Sequence, residues 1–409
     1  MQNVVAVIGG GAAGFFGAIT CAQQNPQAKV ILFEKTGKLL SKVKVSGGGR
    51  CNVTHHCFNP NELIKFYPRG SKQLKKPFQE FGAAQTVNWF EERGVKLKIE
   101  ADGRMFPVTD DSETIVNCLL REAKKAGIEV LTHTDITETK PLAENRFELR
   151  SAKGQTWNVQ KVLITTGGQN KPENYNWLKN LGHKIEKPVP SLFTFNVPDS
   201  PLKEFMGISV PRAVVKIIGQ KLESEGPLLI THWGFSGPAV LRLSAWGARL
   251  LHDLNYQFSI SINWVPDFTE ETLRTELLSY KNLHARKIIS SNAFFGLPQR
   301  LWKAFTEQAG ISAELRWLDI SNKSLNKLLE TLLRGTFEVR GKTTFKEEFV
   351  TCGGVALSDV NMQTLESRHV KGLHFAGEVL DIDGITGGFN FQAAWTTGFL
   401  AGKNMAATL

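Results

Sequence analysis

Cysteine is scarce in this chain and poorly placed for a structural role. There are five in 409 residues, at positions 21, 51, 57, 118 and 352. The number is odd and no C-x-x-C pair occurs, which argues against a disulfide scaffold and against zinc ligation. That usage fits a reducing, cytoplasmic setting. No apolar run is long enough to span a bilayer, so no membrane partner is expected. The apolar N-terminus has no basic region ahead of it, and glycines 9 to 11 break the run, so it does not read as a secretory signal. Internal repeats and low-complexity tracts are missing as well. The Gly-Phe-Ser-Gly stretch at 234–237 lacks the residue between Ser and the second Gly that a nucleophile elbow requires.

What is present is an ordinary globular composition, 42% hydrophobic and 22% charged, in a chain long enough for two or three domains. Lys and Arg number 49 against 39 Asp and Glu, a net charge of +10. Such an excess suits an anionic partner, whether nucleotide, acidic substrate or nucleic acid, without choosing among them.

The chain is organised around its first 34 residues. Val4 to Ile8 are five apolar residues that read as a buried parallel strand. Gly9, Gly11 and Gly14 then match G-x-G-x-x-G. The first glycine permits a tight turn, the second lets backbone approach a pyrophosphate, and the third lets the next helix pack on the strand. Ala12 and Ala13 open that helix, expected to about Gln24, with its N-terminal N–H groups aimed at the diphosphate. A second strand, residues 29–33, delivers Glu34, whose carboxylate can accept both hydroxyls of an adenosine ribose, and Lys35 follows it.

A second glycine cluster comes next: Lys42, then Ser46, Gly47, Gly48, Gly49, Arg50, Cys51 and Asn52. Three successive glycines beside Ser, Arg and Asn are poor core material and suit a loop lying against a cofactor. Residues 60–92 show helical periodicity, and Asp111-Ser112-Glu113 caps a helix to about residue 125. Strands are expected near 128–131, 147–149 and 159–165, the last closing in Thr166-Gly167-Gly168 beside the first glycine loop. From about 191 the pattern changes to strands with β-branched and aromatic alternation, then helices over 269–334. The nucleotide fold resumes near Gly354, and a short buried strand delivers Gly377, Glu378 and Asp381. Gly387, Gly388, Phe389 and Asn390 open a last helix, whose N-terminus can stabilise negative charge on a reduced ring system. NAD has no need of this second half-site, whereas FAD does.

Together, residues 9–14, 46–54, 231–238, 351–355 and 375–395 resemble the HI0933-like flavoproteins, also described as the BaiN/RdsA family of NAD(P)/FAD-dependent oxidoreductases. The resemblance implies a Rossmann-like FAD-binding domain built from both chain ends, with an inserted β-barrel and helical region. It implies noncovalent FAD held by Gly9, Gly11, Gly14, Glu34, Arg50 and the 377–390 segment. It also suggests reduction of conjugated C=C bonds. One departure is Glu378, where many flavin folds carry Asp; the longer acid still reaches a ribityl hydroxyl.

The expected fold class is therefore α/β: a FAD-binding domain from residues 1–190 and 349–409, and an inserted substrate or cap domain at 191–348. The leading function passes electrons from NAD(P)H through FAD to the C=C of a small unsaturated acceptor. Arg50 and His232 are the candidate polarising or protonating groups, with phosphate binding an equal alternative for Arg50 and a structural loop role for His232. The insert is expected to cover the ring through its 231–238 loop, while His55 and His56 are expected in solvent. A disulfide reductase using Cys51 and Cys57 is a second reading. Five residues separate that pair where such enzymes have four, and no second dinucleotide fingerprint exists. Nucleic-acid docking is a third, less favoured reading, with Arg69, Lys72, Lys75 and Lys76 near Tyr67 its only local support.

Overall fold

Four of the strands anticipated from apolar runs lie side by side in one parallel sheet, and a fifth joins them from the far end of the chain. The computed structural model describes residues 3–169, 171–344 and 350–409. Contacts divide the chain into two units, Met1–Ser191 with Lys346–Leu409, and Leu192–Phe345. The boundary expected at 348/349 lies outside the described residues.

In the first unit, β1 (Val4–Ile8) pairs in parallel with β2 (Lys29–Phe33), and β2 pairs with β3 (Glu129–Leu131). On its other side β1 pairs with β4 (Lys161–Ile164), which pairs with β5 (Leu373–Phe375). The order β5-β4-β1-β2-β3 is extended at the β5 edge by two short antiparallel strands. Strands buried on both faces have no polar side to alternate, which is why β1 and β4 read as continuous apolar runs. Among the described residues, no helix is long and apolar enough to cross a membrane.

The two chain ends meet through glycine. A Cβ on Gly398 would lie 2.7 Å from Ala13 O, and one on Gly402 would lie 2.3 Å from Gly17 O. The N-terminal helix, Ala12–Gln24, and the C-terminal helix, Phe389–Ala407, therefore touch backbone to backbone. Around that contact Phe16 packs against Trp89 at 4.5 Å and Trp395 at 5.3 Å between ring centroids. Burying an aromatic side chain such as Phe16 contributes about 1.5–3 kcal/mol over exposure.

The second unit holds seven strands in the order Gly335–Arg340, Gln257–Asn263, Ser209–Ile217, Glu223–Thr231, Gly234–Ser236, Thr194–Asn196 and Lys342–Thr343. The first and last of these are consecutive in the chain and parted by Gly341 alone. Gly341 N donates to Tyr256 O at 2.8 Å, and its carbonyl accepts from Asn196 N at 3.1 Å. Antiparallel strands and helices are thus present as expected, but a closed barrel is not established by the strand order. Helices Glu270–Leu283, Gln299–Gln308 and Asn322–Arg334 share the core of this unit, with Leu325, Leu328, Leu329 and Leu332 buried along one face of the last. Residues 238–253 form two helices, Pro238–Trp246 and Ala248–Asp253, parted at Gly247.

Candidate functional site

At the carboxyl end of β1, Gly9 adopts φ +118°, and a Cβ there would stand 2.3 Å from Thr165 O. Gly14 is equally constrained, since its Cβ would meet Gly9 O at 2.0 Å. By contrast a Cβ on Gly11 would meet nothing within 4 Å, so backbone at that point faces open space. Gly11 caps the N-terminal helix with no side-chain hydrogen bond, and its first turn, which includes Ala12 and Ala13, carries no acid. The first N–H groups of a helix have no partners inside it, so this uncapped end is a ready anion site.

Glu34 stands at the end of β2. One carboxylate oxygen accepts from Gly10 N at 3.0 Å, and the other from Thr36 N at 2.8 Å and Thr36 Oγ1 at 2.9 Å. These bonds orient the carboxylate and leave it further acceptor capacity. Exposed Lys35 lines, with His133, Asp135 and Lys153, a cavity of about 260 Å³ beside that strand end.

The second glycine cluster is more helical than expected. Ser41–Gly49 forms a helical segment whose dihedrals leave the helix at Ser46, Gly47 and Gly48. Gly47, Gly48 and Gly49 take φ of 59°, 70° and 84°, and a Cβ on Gly48 or Gly49 would meet nothing within 4 Å. Lys42, on the helical part, reaches Glu378 Oε2 at 2.6 Å. Arg50 pairs with Glu100 at 2.6 Å and lies 3.5 Å from Asp110, with its guanidinium 4.0 Å over the Phe106 ring. The Glu100 hydrogen bond raises its pKa further, so Arg50 is a permanent cation and a poor proton donor. Cys51 is fully buried, and burial pushes its thiol up to about 12. Cys57 is also a free thiol raised by desolvation. Burial thus disfavours, at both positions, the thiolate that an attacking redox cysteine requires.

From the C-terminal part, the Glu378 carboxylate also accepts from Thr351 N at 2.7 Å. Gly167 has positive φ, and Gly168 is hemmed in: a Cβ there would meet Thr351 Oγ1 at 2.3 Å and Glu378 Oε1 at 2.7 Å. Gly354, at φ +135°, lies against Val379 O, and Gly377 against the Ala13 side chain. Asp381 N donates to Val355 O. The C-terminal helix begins at Phe389 behind Gly388, again without a side-chain cap or an acid in its first turn. Asn390 clamps its own loop, accepting from Gly384 N and donating to Gly384 O, both at 2.9 Å. Asn52 accepts from Gly388 N and donates to Thr54 O, both at 2.9 Å with its amide so oriented.

Three residues here were not anticipated. His55 is not in solvent: it is half-buried, its Nδ1 lies 3.1 Å from Gly387 O and its ring 4.7 Å from Phe389. Thr351 Oγ1 is buried with no hydrogen-bond partner among the described residues. Asp383, 0% exposed, forms a two-pronged ion pair with Arg69 and accepts from Ser191 Oγ at 2.8 Å. His55 and Asp383 have no local sequence signal, because their partners are distant in the chain. His232, in the second unit, is the exposed residue of the turn between two strands and packs edge-on to Trp233 at 4.3 Å.

The set fits a dinucleotide on structural grounds. It offers open backbone at Gly11, Gly48 and Gly49, two uncapped helix N-termini, an oriented carboxylate and an orphaned buried hydroxyl. A family model described as the HI0933-like protein Rossmann domain matches residues 3–404. The chain belongs to the HI0933-like family. Among its relatives, a 3-dehydro-bile acid delta(4,6)-reductase of Clostridium scindens is 26% identical over 417 residues, covering 99% of each chain. A ribosomal RNA dihydrouridine synthase of Escherichia coli is 28% identical over 415 residues, covering 98% of this chain and 97% of the other. The fold resembles that of a 3-ketosteroid-delta4-(5alpha)-dehydrogenase of Rhodococcus jostii, with a TM-score of 0.52 and 13% identity across 99% of this chain and 97% of that one. This HI0933-like chain thus has full-length relatives with two different substrates.

Proposed function

We propose that this protein is an FAD-dependent oxidoreductase that saturates a C=C bond conjugated to a carbonyl. The observation that carries the reading is the pair of uncapped, acid-free helix N-termini, one from each end of the chain, in the unit that also holds Glu34. Both relatives' names describe hydrogen added across such a bond, in a dienone steroid and in uracil. FAD, bound noncovalently, supplies the two-electron chemistry, with NAD(P)H as its transient donor.

The protein's part is binding, orientation and charge. The N-terminal helix and Gly11 hold the diphosphate, Glu34 accepts the ribose hydroxyls, and the C-terminal helix dipole stabilises anionic charge at the other end. Arg50, fixed by Glu100, contributes positive charge rather than a proton. His232 remains the residue assigned to proton delivery. The domain expected at 191–348 keeps its assignment as a substrate or cap domain of barrel type.

Uracil in RNA is the second reading of the acceptor, favoured by the net charge of +10. The disulfide reductase finds no support in two thiols whose thiolate form burial disfavours.

Purified protein should be yellow and release FAD on denaturation alone. Reduced anaerobically, its flavin should be reoxidised by cyclic enones or by uridine-containing RNA. Reoxidation by neither, with normal reactivity toward oxygen, overturns the proposal.

A further inference from the structure

Residues 56–80 carry five Lys or Arg and two acids, Glu62 and Glu80. Both acids are engaged, Glu62 by Lys65 at 2.7 Å and Glu80 by Lys403 at 2.7 Å. Arg69 is consumed by the buried pair with Asp383. Three cations are left, Lys72, Lys75 and Lys76, all exposed on helix Ser71–Glu80, whose Leu74, Pro77 and Phe78 face inward. None of the three has a carboxylate partner among the described residues. Their i, i+3, i+4 spacing puts them on one solvent face, about 5–6 Å apart at Cβ. Tyr67, considered above as a stacking residue, is buried and donates to Phe389 O at 2.6 Å. The segment's exposed aromatic is instead Phe58, 47% accessible, with exposed His56 edge-on at 4.6 Å.

This face is fixed to the flavin end of the candidate site. Ile385 N donates to Phe66 O at 3.0 Å, Phe66 stacks on Phe389 at 4.4 Å, and Arg69 holds Asp383. His55, next to His56, contacts Gly387 O. Whatever docks on the lysine face is therefore held at a set position relative to the Gly387–Gly388 turn.

We propose that Lys72, Lys75 and Lys76 on this helix, together with exposed His56 and Phe58 of the preceding segment, dock the single-stranded part of an RNA substrate. The inference rests on the reading of uracil as acceptor. Three unneutralised lysines match consecutive phosphates, and an exposed phenyl ring offers a stacking platform for a splayed base. Phe58 is the segment's sole exposed large apolar side chain, so the face has no aliphatic surface to insert into an anionic bilayer.

The test uses the full-length, FAD-loaded protein and a fluorescein-labelled RNA hairpin with a uridine-rich loop, titrated by anisotropy over a range of salt concentrations. Replacing all three lysines, K72A/K75A/K76A, should weaken binding and lower the slope of log affinity against log salt by about 2, near 0.7 for each phosphate contact. Phe58→Ala should weaken binding roughly tenfold and leave the slope unchanged. Both variants should keep bound FAD and the wild-type rate of reoxidation by cyclohexenone. Wild-type affinity and slope in the triple variant would overturn the proposal, as would sedimentation with anionic vesicles in place of RNA binding. If the wild type reduces uridine in RNA and the triple variant does so equally well, the docking face alone falls. If the wild type reduces cyclohexenone but binds no RNA, the reading of uracil as acceptor falls with it.

Discussion

Lys42 and Glu378 stand 336 residues apart in sequence and 2.6 Å apart in space. The lysine lies on the second glycine-rich segment, and the acid follows β5, so the pair joins the two ends of the chain beside the candidate site. Lys42 is half exposed, so the ion pair itself contributes no more than about 1 kcal/mol. Its larger role is geometric, because the same carboxylate also receives Thr351 N. Lys42 and Thr351 together thus orient the Glu378 carboxylate.

Glu34→Ala should weaken FAD binding by one to two decades. A charge-assisted hydrogen bond to ribose contributes roughly 1.5–3 kcal/mol, and the oriented carboxylate here can make that contact. Titrating apoprotein with FAD by fluorescence measures it. Equal affinity in the variant would remove Glu34 from the cofactor site.

Gly402→Ala should lower thermal stability by about 1–3 kcal/mol, because its methyl would stand 2.3 Å from backbone at Gly17. Neither helix can give way cheaply at a backbone contact. Ala is the better helix former, so an unchanged or raised melting temperature would show that the two helices are free to separate.

His374 is buried, and desolvation, helped by Lys161 and opposed by Glu366, lowers its pKa from 6.5 to about 4. The folded state therefore holds it neutral. Its contribution is present above pH 6.5 and is lost as pH falls towards 4, an amount on the order of 3 kcal/mol. His374→Gln should flatten that part of the stability curve in urea titrations. An unchanged slope between those pH values would mean the imidazole is solvated in the native protein.

His232→Ala should leave FAD bound and flavin reduction by NAD(P)H nearly intact while slowing reoxidation by the organic acceptor about 100-fold, the scale of a lost general acid. Stopped-flow traces of the two half-reactions separate these effects. Slowing confined to flavin reduction would place His232 with the donor instead.

The local features of this fold were legible in the sequence. Strand, glycines, helix, strand and Glu34 follow one another within 34 residues, and each has a conformational reason visible in its own neighbours. The short buried strand ahead of Gly377 was equally plain, and it joins the parallel sheet as β5. What stayed hidden depends on distant partners. Arg50 looked free to bind phosphate or polarise a substrate, and its Glu100 and Asp110 contacts come from across a small three-stranded sheet. His55 looked solvated because Gly387 and Phe389 lie over 330 positions away. The 41–49 segment read as a loop because its glycines outweighed the helix-forming residues ahead of them.

The backbone contact between Gly17 and Gly402 also has a consequence during synthesis. A ribosome making this chain releases helix Ala12–Gln24 well before the helix Phe389–Ala407 that covers it. At 5–20 residues per second that interval lasts tens of seconds. Throughout it the sheet lacks β5, and the face of the first helix that later meets glycine is bare. The second unit draws its own core from a continuous run of chain and can complete it earlier. In the cell, then, the parallel sheet of the first unit closes after the core of the second unit, once residues 373–407 have been made.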